Sequence, residues 1–243
     1  MLIINADDWG RSRGETDAAL RCYQSGGITS VSAMVFMEDS ERAAELAKET
    51  QVDAGLHLNF SEEFTDSAYP EKLRGYHNKI CRFLRRSKYA QLLYNPWLRA
   101  AFSYSVEAQA EEFERLFGKL PSHLDGHHHM HLCANLIFSR ILPDGMKMRP
   151  HFSFWPGEKS YLNIAYRKVV NRWFSRRYRM PDFFFDLTQC IDGEKFGLVE
   201  ALAKRSVVEL MTHRVNQREG QYLLSDEFHQ FLKCVDIGNY AAM

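Results

Sequence analysis

Short apolar runs alternate with helical patterns along most of the chain. Residues 2–6 form a compact apolar run that leads straight into two adjacent acids, Asp7 and Asp8. Residues 14–25 have helical character and meet a stop at Gly26-Gly27, because glycine readily takes the backbone that ends a helix. The apolar, β-branched stretch 28–37 predicts a strand, and the Ala/Glu/Lys stretch 40–48 a helix. Residues 52–60 alternate with a period of two, which sets Gly55, His57 and Asn59 on one strand face. A strongly amphipathic helix is predicted over 105–116; Gly118 and Pro121 end it, and 122–127 can then enter as a strand. Helices over 132–142, 198–203 and 226–234, with strands at 147–149, 183–185 and 207–212, complete the pattern.

Alternation of this regularity predicts an α/β fold: βα units around a parallel sheet, open or closed into a barrel. Chemistry in such folds collects at the C-terminal ends of the strands. Asp7-Asp8, His57, His127 and His213 all fall at predicted strand ends. With 243 residues and 45% apolar composition, the chain can bury a large core. The length fits a single domain over residues 1–243, and a two-lobed chain equally.

Global charge adds little, since 31 basic residues balance 31 acidic ones. Its distribution adds more. Residues 72–99 and 159–179 are basic and interleaved with aromatic side chains. They are expected either to be amphipathic helices with solvated basic faces or to offer a surface for an anionic polymer, a peripheral membrane contact or a lipid-linked substrate. No nucleic-acid-binding motif accompanies the charge, which argues against that partner. The first residues lack the features of a secretory signal, and no apolar run approaches the roughly 18 residues needed to span a bilayer. A soluble, cytoplasmic protein is the expectation, and a homodimer is compatible with it. Cysteines 22, 81, 133, 190 and 234 are odd in number and scattered, as reduced and mostly buried thiols would be.

The chemistry-bearing residues are few. Adjacent carboxylates at a strand end point in different directions, so Asp7 and Asp8 can divide metal binding from proton handling. The stretch His123-Leu-Asp-Gly-His-His-His-Met-His131 packs six acidic or imidazole groups into nine positions. On a strand, His123, Asp125 and His127 would share a face, with His129 and His131 continuing the alternation. A carboxylate with two histidines gives a divalent-metal set with open positions, as a catalytic site requires. Asp125 is placed to orient a ligating histidine through its other ring nitrogen. His213 could protonate a leaving group, and Arg149 could orient substrate, brace an acid or form a surface salt bridge.

These residues resemble the YdjC-like carbohydrate deacetylase family, also called the ChbG/HpnK family. Asn5-Ala-Asp-Asp-Trp-Gly10 resembles its first motif, Gly55-Leu-His-Leu its second, His123–His131 its third and Glu209-Leu-Met-Thr-His213 its fourth. The resemblance implies a distorted (β/α) barrel of the glycoside hydrolase/deacetylase type, related to the NodB polysaccharide deacetylases. It implies removal of an N-acetyl group from an amino sugar with one divalent ion, Mg²⁺ or Zn²⁺. By matched motif position, Asp8, His57 and His127 would be ligands, Asp7 the general base and His213 the general acid. Asp125, His129 and Arg149 would then support the site or meet substrate. The chain departs from the family pattern at Arg214, where proline is usual, in its basic aromatic middle and in a short tail after His213. Two other readings are a metal-dependent phosphoesterase, which needs more carboxylate ligands, and a non-catalytic binder of an anionic polymer or membrane.

Overall fold

The computed structural model describes residues 1–66, 68–155, 157–213 and 216–243, so Arg214 lies outside the described residues. In chain order the first half contains β1 (Leu2–Trp9), α1 (Arg13–Gln24), β2 (Ser30–Ala33), α2 (Ser40–Thr50), β3 (Asp53–Leu58), α3 (Glu71–Leu84), α4 (Arg99–Phe117) and β4 (Leu124–Gly126). The second half contains α5 (Ala134–Ser139), α6 (Tyr161–Phe174), β5 (Phe183–Asp186), α7 (Leu187–Asp192), α8 (Phe196–Ala203), β6 (Val208–Thr212), α9 (Gln217–Leu223), α10 (Asp226–Leu232) and β7 (Ile237–Gly238).

The strands form one parallel sheet in the order β4-β3-β2-β1-β6-β5, and β7 pairs with the start of β1. All eight residues of β1 are buried, as a central strand covered on both sides must be. Between β4 and β5 the sheet curls but does not close into a full ladder. Residues 147–149, expected as a strand, make only isolated bridges, Leu124 with Met148 and Lys147 with Arg179. The result is a curled half-barrel.

Several expected boundaries shift for local reasons. The first strand runs on through Trp9, so Asp7 and Asp8 lie within it, and its register with β2 slips between Ala6 and Trp9. Asp8 sits at that slip with φ +64°. The left-handed region is accessible to aspartate at a cost of about 1–2 kcal/mol. The second strand is shorter than expected because the chain bends away after Ala33, with Phe36 at φ +60°. The helix expected at 132–142 is cut to Ala134–Ser139 by Arg140 in the left-handed region. Trp9 anchors the opening segment, its indole N–H donating to the Ala43 carbonyl at 2.9 Å. Ser12 caps α1, its Oγ accepting from the Glu15 amide and donating to the Glu15 carboxylate.

Gly55 on β3 marks a close approach. A Cβ there would lie 2.3–2.5 Å from three atoms of the His123 ring. That ring is itself stacked at 3.8 Å on Tyr240 near the C-terminus. Gly55→Ala is therefore expected to destabilise by about 1–3 kcal/mol through overpacking. Urea unfolding checks this, and an unchanged midpoint would show that the His123–Tyr240 stack is free to move aside.

Candidate metal centre

β1, β3 and β4 bring their acidic and imidazole residues to the C-terminal edge of the sheet. The register sets His57 beside Asp125, and the slip in β1 turns Asp8 toward both β3 and the turn that follows β4. Asp8 Oδ1 lies 2.9 Å from His127 Nδ1 and 3.4 Å from His57 Nε2. The ligand atoms of Asp8, His57 and His127 all lie within 4.8 Å of one another, and all three residues are buried. On its other side His57 Nδ1 meets Asp125 Oδ1 at 2.7 Å. That contact fixes the ring and leaves Nε2 facing Asp8, as an outer carboxylate does for a ligating imidazole.

Beneath this set lies a second, fully buried cluster. Arg149 places NH2 2.6 Å from Asp7 Oδ1 and NH1 2.8 Å from Asp7 Oδ2. The same guanidinium reaches Asp125 Oδ2 at 2.8 Å and Glu209 Oε1 at 2.8 Å. Tyr240 donates to Glu209 Oε2 at 2.5 Å, Asn5 Nδ2 to Asp7 Oδ1 at 3.0 Å, and Ser32 Oγ to Asp125 Oδ2 at 2.8 Å. Arg149 has no solvent exposure, which rules out the surface salt bridge and takes it out of reach of substrate. It braces acids.

Asp7, His57 and Asp125 also converge closely enough to hold a cation. A cation there would face the guanidinium that already neutralises Asp7 and Asp125, so Coulomb repulsion selects the Asp8 set. The ionisation pattern agrees. Burial pushes the Asp8 carboxyl up, but hydrogen bonds and charge from His127 and His57 hold it well below the usual range. Burial opposes charge on His57, yet the carboxylates of Asp125 and Asp7 raise it to about 10. The Asp8 carboxylate and the His57 and His127 rings thus face one another across a space that a divalent ion could occupy. One carboxylate and two imidazoles suit Zn²⁺ and related ions.

The turn after β4 departs from the expected alternation. The strand ends at Gly126, and residues 127–132 form a kinked 3₁₀ segment with His128 at φ +52° and His129 at φ +57°. His127 therefore faces Asp8 while its neighbours point elsewhere. His128 Nδ1 meets Ser61 Oγ at 2.9 Å on the surface side. His129 packs its ring 4.6 Å from Phe152, and burial pushes its pKa well down. His131 Nε2 donates to the Arg149 carbonyl at 3.1 Å, burial pushing it to about 3. Outside that turn, His123 lies at the back of the cluster, lowered to about 4 by burial.

His213 follows Thr212, which pairs with Ala6, so it stands at the same sheet edge as Asp7. Its backbone N–H donates to Glu219 at 2.7 Å, and within the described residues its ring makes no hydrogen bond to Asp7 or Asp8.

Three participants escaped the sequence reading. Glu62 Oε2 lies 3.0 Å from His127 Nε2, without the alignment of a hydrogen bond, and is held by both Nε and NH2 of Arg11. Nothing in Ser61-Glu62-Glu63 distinguishes it from an ordinary solvated acid. Tyr240 carries no local signal either. Glu209 did carry one, an acid inside the apolar run 207–212.

Burial raises the Glu209 carboxyl from 4.5 to about 7 against the pull of Arg149 and Tyr240. With the folded value above the unfolded one, the stability it contributes is complete below about pH 4.5 and is lost as pH rises to about 7. The stability of the wild type relative to Glu209→Gln is expected to fall across that window by on the order of 3 kcal/mol. Urea midpoints of both proteins at about pH 5 and about pH 8 check it. A difference that is constant, or that grows with pH, would show Glu209 ionised throughout.

Fold and site together define an α/β half-barrel with a buried, metal-competent Asp–His–His set at the C-terminal edge of its sheet. The chain belongs to the YdjC-like protein family, whose model matches residues 1–234. It is 30% identical over 148 residues to a carbohydrate deacetylase of Danio rerio, covering 59% of this chain and 46% of that protein. It is 33% identical over 144 residues to a chitooligosaccharide deacetylase of Proteus mirabilis, covering 59% and 53%. The match thus spans about half the length of those two relatives. A carbohydrate deacetylase of Vibrio parahaemolyticus is 27% identical over 214 residues, covering 87% and 77%. Among solved structures, an Enterococcus faecalis protein assigned provisionally to cellobiose-phosphate cleavage superposes with a TM-score of 0.72. At 19% identity, with 99% of this chain and 97% of that one covered, it shows the fold alone.

Proposed function

We propose that the chain, acting as one unit over residues 1–243, is a metal-dependent hydrolase that removes the N-acetyl group of an amino sugar, on a half-barrel of the NodB-related type. The observation that carries this reading is the buried Asp8–His57–His127 set beside an arginine-held Asp7. Carbohydrate and chitooligosaccharide deacetylases among its relatives supply the substrate class. Asp8, His57 and His127 would hold one divalent ion, Zn²⁺ or Mg²⁺, which supplies Lewis acidity toward the acetamide carbonyl and makes a bound water more acidic.

Asp7 is the general base in this reading. Arg149 fixes both of its oxygens and Asn5 a third direction, so the carboxylate is aimed before substrate arrives. It takes a proton from the attacking water as the new C–O bond forms. His213, at the neighbouring strand end, protonates the amine as the C–N bond breaks, and acetate leaves. Asp125 positions His57, and His129 borders the space that substrate enters. A phosphoesterase is less well served, because Arg149 uses the carboxylates that a second metal would need.

No helix among the described residues is long and apolar enough to cross a membrane; a cytoplasmic site of action belongs to the same proposal. The direct test is an acetate-release screen over N-acetylated mono-, oligo- and lipid-linked sugars with the metal varied. No release from any sugar would end the reading. His57→Ala is expected to weaken metal binding by more than about 100-fold, read as metal per chain after dialysis. Full metal content in that variant would remove His57 from the ligand set.

A further inference from the structure

The two basic aromatic segments meet over one space. A cavity of about 620 Å³ opens beside His128 and His129 and is lined by Lys88, Lys159 and Arg167, with no aspartate or glutamate among the described residues of its wall. It adjoins the metal centre, since the His128 ring lies 4.0 Å from that of His127. Arg167 is half-buried with its guanidinium 5.0 Å over the Phe154 ring. Its Nε donates to Asn163 at 2.7 Å, and it pairs with no carboxylate among the described residues. A half-buried guanidinium without an acid is costly unless an anion completes it.

Past Leu92 and Tyr166 the cavity continues into an apolar groove of about 320 Å³, walled by Ile137, Phe138, Val169 and Trp173. Phe138 and Val169 are 65% and 67% exposed, and of the fourteen residues of α6 only Phe174 is buried. An amphipathic helix so poorly packed on its own protein leaves apolar surface for something else to cover. A soluble polyanion would satisfy the three cations and leave Phe138, Val169 and Trp173 in water. A hydrocarbon chain covers them.

We propose that the cavity and groove form one site for an anionic amphiphile, a lipid-linked amino sugar phosphate. Its phosphate lies among Lys88, Lys159 and Arg167 and its chain runs along the groove past Tyr166, while its N-acyl end reaches the Asp8–His57–His127 set. Only the sugar end of this assignment rests on the deacetylase reading. Arginine's planar fork favours phosphate oxygens, and lysines from separate segments can close on the same group.

The binding test titrates decyl phosphate, inorganic phosphate and decyl glucoside into the full chain. Decyl phosphate is expected to bind at least about tenfold more tightly than either half-ligand, and Arg167→Gln and Val169→Asp are each expected to weaken it about tenfold. Removing metal with a chelator should leave that affinity unchanged. Equal affinities, indifference to both substitutions, or loss on chelation, which would put the phosphate on the metal centre, each overturn the site. A kinetic arm compares kcat/KM for a lipid-linked N-acetylglucosamine phosphate with that for a neutral N-acetylated oligosaccharide. The lipid-linked substrate should be preferred, and Arg167→Gln should erase the preference through KM. Decyl phosphate binding as expected with no acetate released from any sugar would end the deacetylase reading and leave this site standing. Turnover of neutral sugars alone, with no discrimination among the three probes, would end this proposal and leave the deacetylase reading intact.

Discussion

Arg149→Met is expected to destabilise the protein by about 3–5 kcal/mol, because it takes the guanidinium they share from three buried carboxylates. Asp7, Asp125 and Glu209 all take their compensating charge from this one guanidinium, and none of the four side chains reaches solvent to a useful extent. Replacing a buried ion cluster as a whole by apolar groups can be harmless, but removing the one guanidinium that all three acids share cannot. In a domain of this size the loss corresponds to a melting temperature lower by about 6–20 °C. Arg149→Lys separates charge from shape. One ammonium cannot reach three carboxylates at once, so an intermediate loss is expected. Differential scanning calorimetry of the three proteins checks the order. A methionine variant as stable as wild type would mean that the acids are neutral in the fold, and the hub would need to be redrawn.

Asp7→Asn is expected to behave in the opposite way, folding nearly as well as wild type while losing about 10²–10⁴-fold in kcat. The folding half follows from counting charges. Three carboxylates surround one arginine, so neutralising Asp7 leaves Arg149 still paired with Asp125 and Glu209. Asparagine retains one oxygen to accept from the guanidinium, and its amide must turn away from it. The catalytic half follows from losing the only role an amide cannot take over, accepting a proton from water. Metal content should be unchanged, because Asp8 and the two histidines are untouched. Acetate release, metal analysis and a thermal melt on one preparation decide the matter. Full turnover would remove Asp7 from proton transfer, and loss of metal would make it a ligand.

Much of this centre could be read from the chain, and the parts that could not share a physical cause. The apolar run before Asp7-Asp8, the period of two around His57 and the apolar strand before His213 are local patterns, and each strand forms where it was expected. Choosing His127 over its neighbours came from resemblance alone, and two consecutive left-handed residues explain why no periodicity could have done so. Met-Lys-Met-Arg-Pro reads locally as a short strand whose arginine could equally face solvent, and only long-range pairing with Leu124 draws Arg149 inside. Glu62 and Tyr240 are placed by contacts with His127 and Glu209, distant in the chain, so their neighbours in sequence say nothing about them. The basic segments were legible as charge and aromatic character, but not as two walls of one cavity.

The hub around Arg149 also has a meaning for how the chain reaches its fold. Its members come from positions 7, 125, 149, 209 and 240, so no local segment can assemble it. Loop-closure entropy makes such distant contacts late ones, and formation slows as the average separation of contacting residues grows. During synthesis Asp7 and Asp125 emerge well before Arg149, and Glu209 well before Tyr240. Until the arginine arrives, the first strand cannot bury Asp7 without a large electrostatic cost, which favours an early half-sheet that is open or hydrated at that point. The nascent chain is then held back from premature closure by the same residues that later make the site rigid.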